Sequence, residues 1–161
     1  MVNNNYTVSV DLAPNSIRNI ESFVDSVCDQ LFINDTYYGN ILMSVTELFN
    51  YLVANNEYRQ VEITYNSNYE KMTIGIQPVD IQVVDSFSSK IDFEDIIKGD
   101  KEKTLYLIHS LVDNIIIENN KLLLEYDISA LHNEIYQKRK SLLKEYFTIQ
   151  KTEEKVKQQD D

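Results

Sequence analysis

The chain has 161 residues, of which 43% are hydrophobic and 25% are charged, values typical of a soluble domain with its own core. Residues 1–128 carry 8 Lys or Arg against 20 Asp or Glu, a net −12, whereas residues 129–161 carry 7 against 6, a net +1. A domain with this much negative charge repels phosphate backbones and anionic lipid headgroups. General binding to nucleic acids or to membrane surfaces is therefore not expected.

The sequence also predicts where the protein works. It has no apolar run of about 18 residues and no basic start followed by an apolar stretch, so neither a membrane span nor a signal peptide is expected. Its single cysteine, Cys28, excludes an internal disulfide and a cysteine-based zinc site. These features predict a cytoplasmic protein.

The first half of the chain predicts one strand, two helices and a hairpin. Alternating apolar and polar residues over 6–12 indicate a half-buried strand. Apolar residues at helical spacing then predict helices over 17–32 and 35–55. Two further alternating runs, 61–65 and 72–76, predict a β-hairpin.

The second half begins with a long stretch, 77–100, in which no regular element is expected, and such stretches are usually functional or mobile. A helix is predicted over 104–113. Two β-rich runs, 114–118 and 121–127, are joined by an Asn-Asn pair that tolerates a tight turn, so they predict a second hairpin. A last helix is predicted over 129–149.

The element order β-α-α-β-β-loop-α-β-β-α predicts an α/β (α+β) fold. We expect a two-layer sandwich, with a mixed β-sheet and helices on one of its faces. Residues 1–128 would form this domain, residues 129–150 a C-terminal helix that packs on it or extends from it, and residues 151–161 a disordered polar tail.

Two segments of the chain resemble a known family. The helix Asp35–Asn56 looks like the N-box helix of the histidine-kinase-like ATPases (the Bergerat, or GHKL, fold), and Lys103–Ile128 is similar to the closing helix and hairpin of the bacterial anti-sigma-factor serine kinases. The resemblance extends in order and spacing over residues 5–128. It implies the histidine-kinase-like ATPase fold, a bacterial cytoplasmic regulator of transcription, and ATP with Mg²⁺ as the family's ligands.

The N-box departs from that family at the metal ligand. Glu47 matches the glutamate that polarises the attacking water or hydroxyl in the family. The asparagine that holds Mg²⁺ would stand four residues later, where this chain has Tyr51, which offers no carbonyl oxygen to a hard cation. Asn50 lies one residue earlier, about 100° around the helix, and is expected to point elsewhere.

The nucleotide-binding segments depart as well. Where the family has Asp-x-Gly for adenine, this chain reads Gln77-Pro78-Val79, and the branched Val79 occupies room that the ring needs. The lid that wraps the phosphates in the family is rich in glycine, but here it offers one glycine, Gly99, and two carboxylates before Lys103. The site that the resemblance implies is therefore vestigial, and its members are Glu47, Asn50, Tyr51, Gln77, Val79, Gly99 and Lys103.

Three functions remain open at this point. The first is a non-catalytic protein-binding module resembling an anti-sigma factor, with no cofactor, whose partner would be a sigma factor or a STAS-type antagonist engaged through the N-box helix and lid. A homodimer through the sheet is also considered. The second is a divergent but active ATP-dependent serine kinase that uses Glu47, Asn50 and the 77–104 loop. The third is an adaptor that works through the C-terminal helix.

Three other features have simpler interpretations. We expect Cys28 to be a small core residue and His109 to be a structural or surface imidazole. The only basic cluster, Lys138-Arg139-Lys140, would dock against an acidic body, either the protein's own or a neighbour's, with a solvated surface as the alternative.

Overall fold

The computed structural model describes residues 5–30, 35–67, 70–88, 91–128 and 141–149. Five strands form one sheet in the order β1-β2-β3-β5-β4, and every neighbouring pair is antiparallel. The strands are β1 (Asn5–Asp11), β2 (Gln60–Ser67), β3 (Lys71–Gln77), β4 (Asn114–Glu118) and β5 (Lys121–Asp127).

The prediction of a mixed sheet is therefore wrong in its strand directions. After β3 the chain crosses through helices and enters β4 at the sheet edge, and β5 then returns into the gap between them. Strands β3 and β4 run parallel to each other, but β5 separates them and pairs antiparallel with both. The predicted two-layer α/β sandwich is confirmed.

Four helices described along the domain are α1 (Ile17–Gln30), α2 (Asp35–Asn55), α3 (Ile81–Ser88) and α4 (Asp100–Leu111). Short 3-10 helices occupy Pro14–Ser16 and Phe93–Lys98. Alternate residues of the strands are buried under the helical layer, as in β5, where Leu122, Leu124 and Tyr126 are buried. One large core joins the sheet to α1, α2, α3 and α4.

Helix α3 corrects the prediction that residues 77–100 lack regular structure. Asp80 starts it, because its carboxylate Oδ1 accepts the Val83 backbone N–H at 3.2 Å in the manner of an N-cap. The two turns of α3 expose half of their residues and bury only Val83 and Phe87, too few positions to establish a helical period in the sequence.

Helix α4 begins at Asp100, four residues before the predicted start. The acidic residues Asp100 and Glu102 in its first turn interact favourably with the positive end of the helix dipole. A further helix is described over 141–149, which we call α5. The remainder of the predicted last helix, the polar tail and the end of the first helix beyond residue 30 lie outside the described residues.

Candidate functional site

The three N-box residues lie on α2 in different environments. Tyr51 is buried, with 5% of its surface exposed, whereas Asn50 is exposed and Glu47 is half-buried. The side chain in the position of the family's metal ligand thus faces the core, and the only nearby carboxamide on this turn faces solvent. Tyr51, which stands in place of the family's metal-binding asparagine, has no carbonyl oxygen to offer a hard cation.

The ring of Tyr51 packs against α3. Its centroid lies 5.6 Å from that of Phe87, with an interplanar angle of 80°, an edge-to-face contact. The centroid of the Phe87 ring also lies 6.1 Å from that of the His109 imidazole on α4. Three rings from three helices therefore occupy adjoining positions between α2, α3 and α4.

The segment that begins at the end of β3 is held in place by a backbone hydrogen bond. The Gln77–Pro78 peptide bond is cis, Gln77 is half-buried and Val79 is buried. The Val79 N–H donates to the backbone carbonyl of Asn120 in the β4–β5 turn at 2.7 Å. Both the side chain and the amide of Val79 are thus used within the protein.

Two polar residues tie this segment to the end of α2. The buried Asn56 accepts the Asp80 N–H at 2.9 Å through Oδ1 and donates from Nδ2 to the Pro78 carbonyl at 3.2 Å. Asp80 Oδ2 in turn accepts the Glu57 N–H at 2.7 Å. Each side chain satisfies backbone groups on the opposite segment, which fixes the position of α3 relative to α2.

The lid residues that the resemblance singled out belong to the start of α4. The Gly99 carbonyl accepts the Lys103 N–H at 3.2 Å, a bond at the start of the helix. The Lys103 ammonium lies 5.9 Å from the centroid of the Tyr146 ring on α5, in cation–π geometry. The lysine that would contact phosphate is therefore in contact with the protein's own C-terminal helix.

Glu47 and His109 are the two titratable groups of this region with shifted pKa values. Burial raises the pKa of Glu47, and the nearby positive charge of Lys103 opposes that shift. Burial lowers the pKa of His109, whose Nε2 has no hydrogen-bond partner among the described residues. Both groups are thus biased towards their uncharged forms.

The contacts described for the predicted site residues are made with different parts of the protein. Glu47 and Lys103 interact electrostatically, whereas Tyr51 packs with Phe87 and Val79 bonds to the β4–β5 turn. The sequence reasoning missed Phe87, Asn56, Asp80 and Tyr146. Of these four residues, only Asp80 could have been identified from the sequence, because Asp is a common N-cap residue and an apolar pair follows it shortly, a pattern typical of a helix start.

Cys28 is buried in the core, as predicted, and burial raises the pKa of its thiol to about 12. Within the described residues, no three His, Cys, Asp or Glu side chains are grouped in a way that could hold a metal ion. None of the helices in the described part of the chain has the length and hydrophobicity that a membrane span requires.

Comparisons with known proteins give a structural likeness but no match by sequence. No protein-family model matches the chain, and no curated protein matches it. Among solved structures it is similar to the RsbU and RsbW domains of Rv1364c from Mycobacterium tuberculosis, with 10% identity and a TM-score of 0.45 over 76% of this chain. The match covers 31% of that chain, so this protein spans about a third of its length.

Proposed function

We propose that this protein is a non-catalytic regulatory module that resembles an anti-sigma factor and acts by binding another protein. In this proposal the place of the family's nucleotide is taken by side chains of the protein itself. The observation that carries it is the edge-to-face contact of the buried Tyr51 with Phe87, because a phenol packed into the core replaces the metal-binding asparagine.

Two further observations support the proposal. Val79 is buried where the family's glycine would face adenine, and its N–H is already bonded to Asn120. Lys103 is engaged by the ring of Tyr146 and by the charge of Glu47. A charge-assisted contact is worth about 1.5–3 kcal/mol. Since micromolar binding totals only about 8 kcal/mol, losing the metal ligand and the phosphate contacts removes most of it.

The proposed partner follows from the resemblance alone. It is a sigma factor or a STAS-type antagonist, bound at the α2 and lid region. A second copy of the chain, paired through the sheet, is the alternative. We propose a cytoplasmic location, for which the charge and the lone buried cysteine are the support.

Calorimetric titration with ATP·Mg²⁺ tests the proposal. We expect no binding with a dissociation constant below about 1 mM, the weakest affinity that matters for a cellular nucleotide. The matched control is the double variant Tyr51→Asn, Val79→Gly, which restores two of the family's residues and should bind no worse than the native chain. Micromolar binding by the native chain would overturn the loss of the nucleotide site.

The second candidate, an active serine kinase, has one observation in its favour. The half-buried Glu47 has a raised pKa, which is the property expected of a general base. If ATP·Mg²⁺ bound, a concentration 100 times the dissociation constant would stabilise the protein by about 2.7 kcal/mol, a rise of roughly 5–10 °C in Tm. Transfer of labelled phosphate to a protein substrate that Glu47→Gln abolishes would establish this candidate.

A further inference from the structure

Helix α5 lies in a groove between α2 and α4. Its residue Leu143 is 8% exposed and packs with Leu107 and Leu111 of α4 and with Met43 of α2. Its Cδ1 lies 3.4 Å from the point that a β-carbon on Gly39 would occupy. The glycine thus leaves room for the leucine against the backbone of α2.

A second anchor lies three residues further along α5. Tyr146 is half-buried against the same apolar cluster and receives the Lys103 ammonium over its ring. Residues three apart lie on one face of a helix, so Leu143 and Tyr146 form a single recognition face. Phe147 and Ile149 are 46% and 55% exposed, and therefore lie away from the groove.

The sequence of α5 and of the residues just before it has a charge opposite to that of the rest of the chain. Residues 138–149 contain four basic side chains and one acidic side chain, Glu145, a net +3, whereas residues 1–128 have a net charge of −12. A basic helix is attracted to such a surface before any apolar contact forms. The groove therefore selects its helix by charge as well as by shape.

The contact made by the described part of α5 is small. Of the nine described residues of α5, only Leu143 is buried, Leu142 and Tyr146 are half-buried beside it, and the cluster that Leu143 forms with Leu107 and Leu111 is separate from the main core. So few contacts can be exchanged for those of another helix with the same pattern.

We propose that the α2–α4 groove is a helix-binding site that recognises a basic amphipathic helix with Leu and Tyr three residues apart. Its lining residues are Gly39, Met43, Lys103, Leu107 and Leu111. Helix α5 occupies the groove in cis, and the corresponding helix of a protein partner replaces it. The inference rests on the proposed function, since it names the surface and the chemistry by which the partner is bound.

The test uses full-length protein and a labelled synthetic peptide of residues 138–150. Leu143→Asp places a charge in the apolar cluster and releases α5, so the variant should bind the peptide at least about tenfold more tightly than the native chain does. Phe147→Asp adds the same charge on the outward side of α5, and this control should bind as weakly as the native chain. A peptide that itself carries Leu143→Asp should not bind.

Gly39→Leu is a second variant, which should release α5 without placing a charge in the apolar cluster. Leucine has a higher helix propensity than glycine, and its side chain fills the place of Leu143. Hydrogen exchange should therefore show α5 released, while the peptide still fails to bind. Equal binding of the peptide to the native chain and to Leu143→Asp, or no binding to a folded Leu143→Asp chain, would overturn the proposal.

One other outcome is also decisive. Dimers of the Leu143→Asp chain that the peptide does not dissociate would place a second copy, not a partner helix, in the groove, and would contradict the proposal. The ATP titration and the peptide experiment are independent. If the peptide experiment fails, the proposed loss of the nucleotide site is unaffected. If ATP binds, the proposed helix-binding site is unaffected.

Discussion

Tyr51 on α2 and Phe87 on α3 meet edge to face, with 5.6 Å between their ring centroids. Both rings are buried, at 5% and 3% exposure. The contact joins α2, a long helix that the spacing of its apolar residues predicts, to α3, a short helix that this spacing does not predict. Tyr51 is also the residue that stands in the sequence where the family resemblance implies a metal ligand.

Removing the ring of Tyr51 should leave a cavity and destabilise the protein. We expect Tyr51→Ala to lower the free energy of unfolding by about 3–5 kcal/mol, the range for a buried aromatic residue. Tyr51→Phe keeps the ring and should cost less than about 1.5 kcal/mol. Urea denaturation followed by circular dichroism measures both, and a cost below about 1 kcal/mol for Tyr51→Ala would contradict a packed ring.

The Asp80 carboxylate should contribute more to the free energy of unfolding than an ordinary surface carboxylate does. It accepts N–H groups from Glu57 and Val83 and so joins two segments. Asp80→Ala should cost about 1–2 kcal/mol through the lost cap and backbone bonds. Asp85→Ala, on the exposed side of the same helix, is the control and should stay within about 0.5 kcal/mol in the same denaturation measurement. Equal effects of the two variants would remove the capping role.

Glu47 should destabilise the folded protein as its carboxyl ionises. Burial raises its pKa in the folded state above the ordinary value of 4.5, so the folded protein favours the protonated form. The stability that this provides is complete below pH 4.5 and is lost as the pH rises through the folded pKa. Glu47→Gln should therefore raise Tm at pH 7 more than at pH 4, as measured by calorimetry.

The matched control for that variant is Glu62→Gln, at an exposed position of β2. It should change Tm little at either pH. If Glu47→Gln instead lowered Tm at pH 7, the attraction between Glu47 and Lys103 would outweigh the cost of burial, and the pKa of Glu47 would be lowered rather than raised.

His109 should produce the opposite dependence on pH. Burial lowers its pKa below the ordinary value of 6.5, so the unfolded chain binds a proton at a higher pH than the folded protein does. The stability that the uncharged imidazole of His109 provides is complete above pH 6.5, and it falls as the pH drops towards the pKa of His109 in the folded protein. His109→Asn should lessen the fall in Tm between pH 7 and pH 5, and an unchanged fall would show that the imidazole is solvated.

The sequence predicted the long, periodic elements well. Helix α2, the two hairpins and the alternating burial of β2 agree with the predictions, because each element has a recognisable local pattern. The sheet directions were wrong because strand pairing depends on where a crossover enters the sheet. Local spacing does not contain that information.

The surroundings of the candidate site were predicted less well. The residues of the N-box could be identified by their spacing on one helix. Phe87 packs on Tyr51, whereas Asp80 and Tyr146 contact other segments of the candidate site, and the three stand 29 to 95 residues further along the chain than Tyr51. Helix α3 is too short to show a period, and the contact of Lys103 with α5 joins residues from separate elements.

The sequence by itself determined the acidic body, the lone cysteine, the amphipathic helices and the residues that stand in place of an N-box asparagine and a lid of glycines. These properties depend on residue type and near-neighbour spacing, which the chain carries without folding. Only the tertiary structure decided that the phenol of Tyr51 packs on Phe87 and that α5 lies between α2 and α4. Such contacts arise when distant segments bury a shared surface, and their partners depend on the whole packing arrangement.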